Sequence, residues 1–217
     1  MKSTKKIVAS TFFLLVAATD IYAIITHNKE VEMIAKPLIA TSLVTLYLVS
    51  VKKPNFWYVS ALFFAFWGDV LLLFQDQFFI YGLASFLLAH VLLITVSSKF
   101  LNQVSIPKIL LHSLPFVALL GGLIYTIYSG LGELLIPVIA YGIVISIFGV
   151  ITFVIYTGKR SVENGWLFLG ALTFIASDSI LAINKFYYST ELLGISIMIT
   201  YIIAQYLICR AMILKTT

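Results

Sequence analysis

The sequence predicts an all-α membrane bundle of eight transmembrane helices with both termini on the inner side. Three observations predict it. Apolar residues make up 61% of the 217-residue chain and charged residues only 11%, too little charge to cover a water-soluble domain of this length. The apolar residues fall into eight stretches of the length a bilayer demands, about 20 residues for a hydrocarbon core of about 30 Å. The lysines and arginines divide very unequally between the two sides of those stretches.

The stretches run over 7–25, 33–51, 56–74, 78–97, 108–128, 133–156, 165–184 and 192–214. The first follows Lys2, Lys5 and Lys6 and carries Asp20; at about 19 residues it suits a retained helix better than the h-region of a cleaved signal peptide. The second begins after His27-Asn28-Lys29-Glu30 and closes at Lys52-Lys53-Pro54-Asn55. The third ends at Gln75-Asp76-Gln77, the fourth at the run from Asn102 to Pro107, and the fifth at Ser129-Gly130-Leu131-Gly132-Glu133. The sixth stops at Gly158-Lys159-Arg160, the seventh at the run from Lys185 to Glu191, and the eighth reaches the C-terminal end. All connections are short. None reads as a linker, a low-complexity tract or a soluble domain, so residues 1–217 read as one integral membrane domain.

With the N-terminus inside, the inner ends hold Lys2, Lys5, Lys6, Lys52, Lys53, Lys99, Lys108, Lys159, Arg160, Arg210 and Lys215, against Lys29, Lys36 and Lys185 outside. The net charge of +5 is therefore a topology signal, one that suits a bacterial inner membrane. No basic run interleaved with aromatics occurs, so nucleic acid is not an expected partner. Cys209 stands alone; it allows no intrachain disulfide and reads as a small hydrophobe.

A faint internal repeat crosses the chain. Gly68-Asp69 in the third stretch corresponds to Ser177-Asp178 in the seventh, an offset of 109. Pro37 pairs with Pro137 at an offset of 100, and Gly82 with Gly194 at 112. The reading is a parallel four-plus-four repeat about an axis along the membrane normal; chance similarity among apolar helices is the alternative.

Ionisable groups in hydrocarbon are expensive, so each needs a reason. Asp20, Asp69 and Asp178 all lie on inward-to-outward helices, about one to two turns below the outer surface. Lys36 enters from that side and Asn184 closes the seventh stretch there, while His90, Tyr201 and Gln205 lie deeper. Gly194, Met198, Tyr201 and Gln205, spaced four, three and four, share one face of the eighth helix. Asp20, nearest the interface, reads as helix glue; Asp69 and Asp178 read as functional. Lys36 either snorkels or pairs with a buried carboxylate, and His90 is either a satisfied bundle histidine or a ligand. His27 and His112 read as helix-end residues. No G-x-S-x-G elbow, H-E-x-x-H pair or P-loop occurs, and no spacing supports a triad of Ser177, His90 and Asp69.

These residues resemble the YhhN-like family, which includes the lysoplasmalogenases. The matching pieces are Lys36-Pro37, Gly68-Asp69, Gly82 with His90, Tyr141, Ser177-Asp178-Ser179 followed by Asn184, and Tyr201 with Ala204-Gln205-Tyr206. They run from about residue 33 to 210, and Asp20 inherits nothing from them. The resemblance implies hydrolysis of the vinyl-ether bond of a lysoplasmalogen, giving a fatty aldehyde and glycerophosphoethanolamine or glycerophosphocholine. It implies a lysophospholipid substrate drawn from membrane lipid, and a site with Asp69 and Asp178 as the catalytic pair. Lys36, His90, Tyr141, Asn184, Tyr201 and Gln205 are the expected substrate-binding set.

The chemistry fits two carboxyls. A vinyl ether is protonated on carbon, water adds to the oxocarbenium ion, and the hemiacetal collapses. That calls for an acid and a nearby anion, much as glycosidases use a carboxyl pair. Two carboxyls in a low dielectric do not both ionise easily, so one is expected to keep its proton beside an ionised partner. No cofactor is expected; a metal ion held by Asp69, Asp178 and His90 is the alternative. Two rival functions use the same residues. One is a proton-coupled transporter of small molecules or lipids, the other a lipid-binding scaffold without catalysis. An enzyme pocket should open to one leaflet only, whereas a carrier must reach both.

Overall fold

The computed structural model describes residues 2–216, with the side chains of residues 2, 3 and 76 excluded, so the charges of Lys2 and Asp76 used above lie outside the described residues. Among the described residues there are eight α-helices and no strand: α1 Lys2–Ile25, α2 Lys29–Ser50, α3 Phe56–Leu72, α4 Gln75–Ser98, α5 Ile106–Leu131, α6 Leu135–Gly158, α7 Val162–Phe186 and α8 Glu191–Thr216. Asn28 and Asn55 cap the helices that follow them, each accepting a backbone N–H through its side-chain oxygen at 3.2 Å. Between α5 and α6 the chain makes only the 3₁₀ turn Gly132–Leu134, entered by Gly132 at φ +49°, a conformation that favours glycine.

Six stretches are long and apolar enough to cross a membrane, fewer than the eight read from the sequence. Two causes account for the difference. The turn at Gly132–Leu134 is so brief that α5 and α6 form one continuous apolar stretch, Ile106–Gly158, of 53 residues. Helix α3 has only 17 residues, because its helical bonding ends at Leu72 before the turn into α4.

The chain is an integral membrane protein. Leu14, Leu15, Leu110, Leu111 and Val117 are each more than 60% exposed, an apolar exterior that only lipid can cover. Inside, Phe13, Tyr47, Tyr58, Phe148, Phe174 and Ile208 are fully buried. The helices pack chiefly as sequential pairs, α1 on α2, α3 on α4 and α7 on α8, with α6 bridging α4 and α7 and with α8 also touching α1 and α2.

The approach of α7 to α8 depends on Gly170. A Cβ there would stand 3.0 Å from the Ile208 backbone nitrogen and 3.2 Å from the Ala204 carbonyl oxygen. A small residue lets membrane helices meet where no hydrophobic force draws them together. One helical register further along, the Ser177 hydroxyl donates to the Ile197 carbonyl at 2.9 Å and fixes the two helices against each other. This contact sets Asp178 on α7 and Tyr201 on α8 into the same region of the bundle.

A candidate active site between two tyrosine-held aspartates

Asp69 sits in α3 directly after Gly68 and is 2% exposed. The site needs a helix backbone close by, and Gly68 permits it, since a Cβ there would run into the Phe86 ring of α4 at 2.5 Å. A carboxyl taken out of water costs several kcal/mol unless hydrogen bonds compensate. The Tyr201 hydroxyl of α8 supplies one, donating to Asp69 Oδ2 at 2.7 Å. Gln205, one turn further along α8, in turn donates from Nε2 to the Tyr201 hydroxyl at 3.1 Å. On the far side Asp178 is held in the same way: the Tyr141 hydroxyl of α6 donates to Asp178 Oδ2 in a short hydrogen bond.

Asp69 and Asp178 line one cavity of about 250 Å³. Ser177, Gly194 and Tyr201 share its walls. Its mouth is polar and carries Lys36, Glu32, Gln75 and Asn184. His27 and Glu191 form an ion pair across the rim, joining the α1–α2 connection to the start of α8. All of these mouth residues belong to one end of the bundle, where α1 passes to α2, α3 to α4 and α7 to α8.

Lys36 points inward. Its side chain is 13% exposed, lies 3.3 Å from Glu32 one turn back, and is within electrostatic reach of both Asp20 and Asp69. Asn184 has a structural duty as well, because its Oδ1 accepts the Thr190 N–H at 2.9 Å and closes the α7–α8 connection. Asp20 is fully buried, and neither carboxyl oxygen has a hydrogen-bond partner among the described residues. Lys36, whose ion pair is with Glu32, is a cation within electrostatic reach of it.

Three of the expected substrate-binding residues do not line the polar cavity. His90 lines neither of the two cavities that border Asp178. Its Nδ1 pairs with the Phe86 carbonyl at 2.8 Å, and Phe174, Phe148 and Tyr141 enclose its ring. The aromatic packing takes the position that a ligand would need. Gln205 is likewise walled off and acts on Tyr201 instead. Tyr141 faces a second, apolar groove on the other side of Asp178. Among the described residues no three His, Cys, Asp or Glu side chains gather closely enough to hold a metal ion, so Asp69, Asp178 and His90 do not form the metal set considered above.

Sequence reasoning missed Glu32, Gln75, Glu191 and the ion-paired role of His27. Only Glu32 left a signal, its spacing of four from Lys36 on one helix face.

The YhhN family model matches residues 31–212, which include both aspartates, both tyrosines, Lys36, Asn184 and Gln205. The chain belongs to the YhhN family. Within this YhhN chain, Asp20 and the cavity-lining residues Ile24, His27 and Lys29 lie before the matched stretch. Lysoplasmalogenase TMEM86A of Homo sapiens is 32% identical over 151 residues, covering 65% of this chain. The chain spans 58% of that relative's length. No solved structure matches this YhhN sequence.

Proposed function

We propose that the chain is an intramembrane hydrolase that cleaves the vinyl-ether bond of a lysoplasmalogen. The products are a fatty aldehyde and a glycerophospho-alcohol of the ethanolamine or choline type. The observation that carries this reading is the pair of buried aspartates, on α3 and α7, lining one cavity and each bonded by a tyrosine. Membership of the YhhN family and the name of the human relative point to the same reaction.

One carboxyl donates its proton to the β-carbon of the vinyl ether, and the resulting oxocarbenium ion forms beside the other carboxylate. That carboxylate takes a proton from water as it adds to the cationic carbon. The hemiacetal then collapses: the carboxyl that took the proton from water gives it to the departing glycerol oxygen, which leaves as an alcohol, and the hemiacetal hydroxyl returns its proton to the first carboxylate as the aldehyde is released. Tyr201 and Tyr141 hold the two carboxyls in place, and Gln205 holds Tyr201. Lys36 and Asn184, at the polar mouth, receive the phosphate and glycerol of the head. No cofactor takes part in this scheme.

The polar lining gathers at one end of the bundle, which favours an enzyme over a carrier that must open to both sides. We assign all eight helices as spans of a single domain, with both termini inside a bacterial cytoplasmic membrane and the cavity on the outer side. The two aspartates stand at corresponding positions of the four-plus-four repeat in that arrangement.

The test is purified protein with a lysoplasmalogen, read by aldehyde release. Asp69→Asn and Asp178→Asn are each expected to lower turnover by about 10²–10⁴-fold while the protein elutes as the wild type does. Turnover within severalfold of wild type in either variant removes that aspartate from the mechanism.

A further inference from the structure

Asp178 has two faces. One looks into the polar cavity, and the other borders the apolar groove enclosed by α4, α5, α6 and α7. Leu181, one turn along α7, also lines both. Leu120, Ile124, Val138, Ile145 and Phe186 are among the groove walls, and Tyr141, Asp178, Ser146 and Ser179 are its polar lining residues. From Ile175 to Phe186 its lining follows three turns of α7, about 16 Å, around a volume of about 50 Å³. It meets the bilayer along α5, where Leu119 lines it and is 47% exposed.

We infer that this groove seats the hydrocarbon chain of a single-chain ether lipid whose head lies in the polar cavity, so that the bond joining head to chain rests against Asp178. The inference builds on the function proposed above and adds the binding mode. Three observations carry it. The polar and apolar spaces meet at Asp178 and at Leu181 one turn away, and Asp178 is the one polar side chain that lines both. The groove is lined along three turns of α7, the direction an extended chain would follow. It opens sideways to lipid through α5, so a substrate already in the bilayer enters without passing through water.

The groove supplies position more than affinity. A chain leaving bilayer for groove passes from one hydrocarbon medium to another, so little hydrophobic free energy is gained. What it gains is register, which holds the reacting carbons beside a fixed carboxyl.

The experiment uses the full chain in phosphatidylcholine nanodiscs and a saturated alkyl lysophospholipid, which has no vinyl ether to cleave, with a diazirine at the end of its chain. Cross-links are expected on α5 and α6 around the groove, over residues 119–124 or 142–146. They should fall several-fold with excess unlabelled lipid and in either Ala182→Phe or Ile124→Trp, two variants that fill the groove from opposite walls. Labelling spread along the lipid-facing side of α1, or labelling in the groove that neither competitor nor variant reduces, overturns the inference.

A second arm compares alkenyl substrates of long and short chain. In Ala182→Phe the long-chain rate should fall roughly tenfold further than the short-chain rate; equal losses argue against a chain site. The cross-link needs no turnover. Groove labelling without aldehyde release therefore defeats the hydrolase reading alone, and aldehyde release with labelling elsewhere defeats the groove alone.

Discussion

At the residue scale, each aspartate depends on one tyrosine hydroxyl. A hydrogen bond to a charged group is worth about 1.5–3 kcal/mol. Tyr201→Phe is therefore expected to lower turnover by roughly tenfold to a hundredfold, measured as aldehyde release with thermal unfolding as a check on folding. Gln205→Leu should produce a smaller fall confined to kcat, because Gln205 touches Tyr201 and does not line the cavity that holds the aspartates. Lys36 faces three acids, Glu32, Asp20 and Asp69, from a largely buried position. Removing a buried partner strands its charge at a cost of about 3 kcal/mol or more. Lys36→Met should therefore lower the unfolding temperature clearly, and adding Asp20→Asn should recover part of the loss. If the double variant is no more stable than Lys36→Met, an electrostatic coupling of Lys36 to Asp20 is refuted.

Both aspartates were legible in the sequence, because a carboxyl in the middle of an apolar run has to be answered by something. Tyr201 and Gln205 were legible as a stripe on one helix face. The pairing of Tyr141 with Asp178 was not, since periodicity describes a single helix and this bond crosses from α6 to α7. The surroundings of His90 were not legible for the same reason: the rings of Phe148 and Phe174 that close around it come from other helices.

At the element scale, α7 and α8 carry the geometry of the site. Gly170→Leu would drive a side chain into the backbone of α8 near Ile208. Such overpacking costs about 1–3 kcal/mol. We expect a lower unfolding temperature together with lost turnover, since Asp178 and Tyr201 are set by that same contact. A folded Gly170→Leu protein with full turnover would show that the close approach is dispensable. Helix identity was readable throughout from long apolar runs and their breaks. The extent of α3 was not, because Leu73 and Phe74 are as apolar as the helix they follow, and only the backbone shows that regular bonding stops at Leu72.

At the scale of the whole molecule, orientation is the testable property. The chain's single cysteine, Cys209, is fully buried, so an impermeant maleimide should find little background on the wild type. Ser189→Cys should react from outside intact cells, and Lys53→Cys only after permeabilisation. The reverse pattern inverts the bundle and moves the cavity mouth to the other leaflet.

The brevity of α3 has a consequence for the membrane itself. Seventeen residues rise about 26 Å, a few ångströms short of a typical hydrocarbon core. Such hydrophobic mismatch is relieved by local thinning of the bilayer or by polar groups sinking to meet the helix end. In the eight-span arrangement proposed above, Leu72 lines the cavity just beyond Asp69, so thinning at that end of α3 would lie over the site. The phosphate of the proposed substrate would then reach Lys36 without being lifted out of its leaflet.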